Sequence, residues 1–158
     1  MIKGSWLVDS IEDADVRLRS DRIGRIDVDV TAPVTAGSFR VDDAGVALDL
    51  SIALNRLRTS NFIMQAAARA LISRHRAHDL RFAGTGPTAQ PWQVSGQATA
   101  GDVDLPLVLQ IELIAGAPVQ IHLAGSARIG TVHLPLPGLG RVDDFGFEVT
   151  SRLVLRQG

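Results

Sequence analysis

Few side chains in this chain could do chemistry, and their spacing limits what they can do. His75 and His78 stand three apart, with Asp79 adjacent, a separation that puts both imidazoles on one helix face and could hold a metal. No third ligand stands nearby, and Arg74, Arg76 and Arg81 would repel a cation. The group reads as a solvated basic helix end, and no metal is expected. Asp27 with Asp29, and Asp102 with Asp104, are carboxylates two apart. General acid–base work needs two carboxylates in unlike environments, so that their pKa values separate. These alternate with valine, as "DVDV" and "DVD", and read as outward strand polarity. Serine, histidine and aspartate all occur, but no Gly-x-Ser-x-Gly elbow does. "GTGPTAQPW" and "GLG" are turns, too short and misplaced to cradle phosphate. His122 and His133 read as hydrogen-bonded structural histidines. Cysteine is absent, which excludes disulfides, thiolate nucleophiles and thiolate-bound metal. The chain is expected to be no enzyme, with no catalytic residue and no cofactor.

A cationic group has more to offer. Arg56 and Arg58 point to the same side of a strand end, and Arg69, Arg74 and Arg76 could rim the same opening. Such donors suit a pyrophosphate or quinone head group at a pocket mouth. Arg56, Arg58 and Arg69 are the head-group candidates; ordinary exposed arginine is the alternative.

The elements that would position these groups are strands. Apolar and polar residues alternate in "ADVRLRS", "RIDVDVT", "VALDLSIALN", "DLRF", "WQVSGQA", "VDLPLVLQIEL", "VQIHLAG" and "FGFEVTSRLVLR". Turn residues separate them: Asp-Asp-Ala-Gly at 42–45, Thr-Gly-Pro at 85–87, Ala-Gly-Asp at 100–102. About eight short, regularly spaced strands predict an all-β sandwich or barrel in one domain spanning 1–158. Pro106 cannot donate to a ladder, which places it at an edge, a strand start or a bulge. Hydrophobic residues are 46% of the chain but aromatics only 4%, so the core is expected to be aliphatic.

One stretch breaks the alternation. "LRTSNFIMQAAARAL" reads as a helix of about three turns, capped by Thr59, Ser60 or Asn61, with a stripe of Ile63, Ala67, Ala70 and Leu71. A small helix of this kind is expected across a barrel mouth, as a plug or lid. Three successive alanines forgo apolar burial that leucine would give, which makes sense if space is reserved for a guest; close packing against backbone is the alternative.

The order of pieces resembles the YceI-like family of lipocalin-like barrels that bind polyisoprenoid and quinone lipids. The resemblance rests on "GSWLVDS", on "TAGSFRVDDAG", on "LRTSNFIMQAAARAL" with Thr59 and Asn61 at a family signature, on "QVSGQATAGDVDLPLVL" and on "DDFGFEVTSRLVL". The chain departs from the family after the helix, where "SRHRAHDLRF" replaces an Asp-Phe-Phe, and at "GTVHLPLPG". The resemblance implies an eight-stranded antiparallel barrel with one short helix at its mouth. It also implies an apolar tunnel and non-enzymatic binding or carriage of a long-chain isoprenoid or quinone lipid, with transport in a bacterium. The alternative is a solidly packed barrel, a structural or protein-interaction module in stress response.

On that reading the inward-facing residues that would line the guest are Val16, Leu18, Val28, Val30, Leu48, Leu50, Ile52, Leu107, Leu109, Ile111, Ile121 and Leu123. A one-residue slip would bury Asp27, Asp29 and Asp49 instead. Phe62, Met64, Ala67 and Leu71 are expected to contact the guest or the mouth. The net charge of −1 predicts no pull toward nucleic acid or an anionic membrane. No apolar run approaches the length of a membrane span, and the N-terminus has no apolar leader region. A cytoplasmic protein is expected, or a periplasmic or secreted one if a leader has been removed, with a homodimer possible.

Overall fold

Alternation gives each strand one dry and one wet face, and the chain accommodates both by closing a single sheet on itself. The structure, a computed structural model, describes residues 3–9, 14–23, 26–59, 61–114, 116, 118–133 and 141–158, without the side chains of 21–23, 26–28, 129–133 and 141–145. Ten strands are described: β1 (Gly4–Val8), β2 (Asp15–Ile23), β3 (Ile26–Asp42), β4 (Gly45–Ala53), β5 (Arg58–Thr59), β6 (Asp79–Gly86), β7 (Trp92–Ala100), β8 (Val103–Ile114), β9 (Val119–His133) and β10 (Arg141–Gln157). A short 3-10 turn, Leu54–Arg56, and the helix α1, Phe62–His75, stand between β4 and β6.

Neighbouring strands pair antiparallel in the order β10-β2-β3-β4-β6-β7-β8-β9, and β9 pairs β10 to close an eight-stave barrel. β1 and β2 share one stave. Both lie between β10 and β3, β1 at Trp6↔Gln157 and Trp6↔Phe39, β2 at Val16↔Ser151 and Val16↔Ala32. At the break the Val34 N–H donates to the Ala14 carbonyl at 2.6 Å. The buried Ser151 hydroxyl donates to the Asp15 carbonyl at 2.7 Å. A buried hydroxyl left without a partner would cost about 1–3 kcal/mol, so the interrupted stave is where the core can hold a serine. The expected eight-stranded antiparallel barrel with one helix is the fold found.

The register puts Leu48, Leu50, Ile52, Leu107, Leu109, Ile111, Ile121 and Leu123 on the inner face, all buried. Asp29 and Asp49 lie outward, each bidentate with an arginine of the next strand. Arg17 reaches Asp29 at 2.8 and 2.5 Å, and Arg81 reaches Asp49 at 3.2 and 2.7 Å. The side chains of Asp27, Val28 and His133 lie outside the described residues. Pro106 pairs with Gln97 of β7, while the described β8–β9 ladder begins only at Leu109↔Gly125. β8 has one partner at Pro106, so the missing N–H forfeits no ladder bond, as an edge position requires.

The interior is filled unevenly. Phe39, Val94, Ile121 and Leu153 are 0% exposed, and Trp92, Leu48 and Ile111 are 1% exposed. A water-sized void beside any of these would expose it, so the layer they form from β3, β4, β7, β8, β9 and β10 is solid. Phe39 and Trp92 meet edge to face with centroids 5.4 Å apart. Gly84 makes room for a ring, since a Cβ there would stand 2.8 Å from the Phe82 ring, and its partner Gly96 lets the β6 backbone come close, since a Cβ there would strike the Ala83 carbonyl. Phe39, Phe82 and Trp92 gather at one level, which corrects the expectation of an aliphatic core there, and the expected apolar tunnel does not pass through this layer. Truncating Trp92 to Ala should cost about 3–5 kcal/mol in urea unfolding, whereas Leu18→Ala, on the partly accessible inner wall, should cost about 2 kcal/mol or less.

Candidate functional site

The helix is tied down at both ends. Asn61 caps it, its side-chain oxygen accepting from the N–H groups of Ile63 at 2.9 Å and Met64 at 3.3 Å; of the other expected caps, Ser60 lies outside the described residues. Gln65 reaches back, accepting from the Thr59 N–H at 3.1 Å and donating to the Leu57 carbonyl at 3.0 Å. At the far end Arg76 turns left-handed, with φ 55°, and the Ala77 N–H closes onto the Ile72 carbonyl at 2.8 Å. Gly101, in the β7–β8 turn with φ +59°, lies so close that a Cβ there would strike the His75 carbonyl. The Asp102 N–H donates to that carbonyl at 3.2 Å, and the Asp102 carboxylate sits 2.8 Å from His75 Nδ1. His75 is thus engaged with Asp102. Among the described residues no three His, Asp or Glu side chains gather as a metal site would require.

These ties set the rotation of the helix about its axis. With Gln65 held toward Leu57 and Thr59, the inner face carries Met64 and Ala67, buried, with Ala68 and Ile72 packed on the core and Leu71 half-buried. The expected stripe of Ile63, Ala67, Ala70 and Leu71 is therefore corrected: Ile63 is 44% exposed and Ala70 is exposed. Phe62 is corrected too. Two residues before Met64, and so roughly 200° around the helix, it points away from the barrel and is 82% exposed. Ala67 is only 2% exposed, so no reserved space lies beside it. It is small because the core comes close.

The helix runs from β5, which lies along β3, to the β7–β8 turn, a length of roughly 21 Å at 1.5 Å per residue. It packs Ala68 and Ile72 on the core on the side of the barrel bounded by β5 and the β7–β8 turn, where Ala98, Ala100 and Leu107 are buried. Among the described residues, none covers the arc formed by β9, β10 and β2. There and on the adjoining part of β3, the inward residues Val16, Leu18, Val30, Gly125, Ala127 and Val149 are all partly accessible. A cavity of about 650 Å³ lies at this rim, lined by Arg19 and Ser20 of β2, Ser126, Ala127 and Arg128 of β9, and Gly146, Phe147 and Glu148 of β10. Its volume is within the range of small-molecule sites. Its described lining is mostly polar and charged, with Ala127 and Phe147 the apolar side chains. The aliphatic residues Val16, Leu18 and Val149 lie on the same strands outside that lining, with Val30 on the adjoining β3.

Of the sequence candidates, Val16, Leu18 and Val30 stand together on this open wall. Leu48, Leu50, Ile52, Leu109, Ile111, Ile121 and Leu123 belong to the buried interior and Leu107 to the covered side. Arg56, Arg58 and Arg69 are exposed on the outer surface. Arg58 lines an outer groove of about 280 Å³ with Arg17, Asp29, Thr31 and Thr59. Sequence reasoning missed Ser20, Ala127, Phe147 and Val149, although each is in phase with an apolar alternation, Ser20 with Val16 and Leu18, Phe147 and Val149 with Leu153.

In the outer groove the hydrogen bond from Arg17 holds the Asp29 carboxyl below its ordinary value. A depressed folded-state value gives a contribution present above the unfolded value of about 4 and lost as pH falls through the folded one. Asp29→Asn should therefore remove a small acid-side decline in stability, read as the difference between the two proteins' urea midpoints at neutral and acid pH. Both ends of α1 also matter to the mouth. Asn61→Ala should cost about 1 kcal/mol, and Gly101→Val should raise amide exchange throughout α1 while leaving β7 protected.

No family model matches the chain, and no curated protein matches its sequence. Among solved structures, the crystal structure of BcnA from Burkholderia cenocepacia is similar with a TM-score of 0.61 at 13% identity, over 92% of this chain and 98% of that one. A polyisoprenoid binding domain from Saccharophagus degradans, implicated in plant cell wall breakdown, is similar with a TM-score of 0.52 at 11% identity, over 96% and 98%. At such identities the likeness is one of fold. Over nearly its whole length, the chain has the YceI-like barrel fold.

Proposed function

We propose that the protein binds the apolar tail of an isoprenoid- or quinone-type lipid in the uncovered half of its barrel, as a carrier and without chemistry. The observation that carries this reading is the contrast between two levels of one interior. Val16, Leu18, Val30 and Val149 face inward yet remain accessible, while the layer of Phe39, Val94, Ile121 and Leu153 beneath them is sealed. Inward aliphatic surface left wet is unfavourable by roughly 25 cal/mol per Å², and a slim apolar guest would remove that cost. The fold it shares with a polyisoprenoid binding domain supports the same reading. The sealed layer limits depth, so a long tail would be held by one portion only. A binding role fits the described residues at the rim, among which Ser20 is the one inward side chain with a hydroxyl.

A solidly packed interaction module is the second reading, and the sealed layer favours it over half the barrel. Solvent extraction of the purified protein followed by mass spectrometry separates the two. The carrier reading expects an apolar lipid in the extract, and expects Leu18→Trp, which fills the open wall, to fold normally and lose it. An extract without lipid, together with equal uptake of an added prenyl quinone by the wild type and Leu18→Trp, would leave the packed module as the better account.

A further inference from the structure

The segment between Asp49 and Asp79 holds no aspartate or glutamate and five arginines, on a chain whose net charge is −1. All five, Arg56, Arg58, Arg69, Arg74 and Arg76, are exposed. The average charge therefore conceals a cationic face at the helix end of the barrel. That face also carries apolar surface. Phe62 and Ile63, at 82% and 44% exposure, open the helix beside β5, next to the uncovered arc of the mouth. At helical spacing Phe62, Ala66, Arg69, Ala70 and Ser73 share the outer side, all exposed, and none of them is acidic. Small residues there allow the helix to lie flat. Of the described acids at this end of the barrel, Asp29 is engaged with Arg17 and Asp102 with His75, while Asp79, Asp104 and Glu148 are exposed away from the outer side of the helix's first turns.

We propose that this face docks on an anionic lipid bilayer, with Phe62 and Ile63 entering the interface and Arg56, Arg58 and Arg69 meeting lipid phosphates. An exposed phenylalanine on a helix side that carries arginine and no acid is the pattern of an interfacial anchor. Each arginine near an anionic surface contributes a factor of about five in partitioning. No helix of the described residues is long and apolar enough to cross a membrane, and docking needs none. The docked orientation would turn the uncovered half of the mouth toward the bilayer. The proposal does not depend on the barrel holding a guest.

The test is flotation of the purified protein with vesicles of phosphatidylcholine alone, or of equal parts phosphatidylcholine and phosphatidylglycerol. The protein should float with the anionic vesicles only, and less so as salt is raised. The triple variant Arg56→Gln, Arg58→Gln, Arg69→Gln should partition on the order of a hundredfold less, and Phe62→Ser about tenfold less. Phe62→Trp should show blue-shifted emission with the anionic vesicles, a readout that does not depend on loss of binding. Absence of flotation at low salt would overturn the proposal, as would flotation unchanged in both sets of variants. So would Phe62→Ser abolishing self-association in sedimentation velocity without any vesicle binding by the wild type, which would assign the face to a second copy of the chain. Phe62→Ser should keep whatever lipid the wild type yields on extraction, so failure of the guest reading and failure of docking remain distinguishable.

Discussion

An eight-stranded barrel is just wide enough to be filled by its own side chains or to hold one slim ligand, and at any one level it cannot do both. Most of what distinguishes this molecule follows from how that width is allotted along the axis. At the level of Phe39, Trp92, Val94 and Leu153 the interior is given to side chains, with Gly84 making room for the Phe82 ring. Toward the helix end the described inward positions of β2, β9 and β10 are Val16, Leu18, Ser20, Gly125, Ala127, Phe147 and Val149; all but the buried Phe147 are small or aliphatic and partly accessible. Stability is supplied by one half, which permits the other to stay open.

The helix fits this division. A plug centred on the mouth would close it; this one is displaced to one side by its ties. Gln65 holds its first turn to the segment before β5, and Gly101 with Asp102 holds its last turn to the β7–β8 hairpin. Alanines on the inner side let it lie close over β4, β6 and β7, and alanines on the outer side let it lie close to whatever it faces. Among the described residues, the arc from β9 through β10 to β2 is what remains.

Much of this was legible in the sequence, and the rest was hidden for physical reasons. Period-two alternation found the strands and their inner faces, because burying Asp29 or Asp49 unpaired would be costly. The resemblance read from "GSWLVDS" through "DDFGFEVTSRLVL" matched the fold. The rotation of α1 was not legible: Ile63 and Met64 are both apolar, and the choice between them rests on Gln65 hydrogen bonds to backbone groups that only the fold brings near. Phe62 misled for the same reason, since an apolar residue beside an apolar stripe looks buried until the neighbouring turn is fixed. The solid layer was hidden because composition counts aromatics without showing that Phe39 and Trp92, far apart in sequence, meet edge to face.

The central claim is that one interior has two levels, one that receives an apolar guest and one that cannot. Methyl-labelled NMR of the valines, leucines and isoleucines during titration with a prenyl quinone reads both levels at once. The account predicts shifts at Val16, Leu18, Val30 and Val149 and none at Val94, Ile121 and Leu153. Shifts of the second set equal to those of the first would show the guest passing through the layer described as solid, and would contradict it.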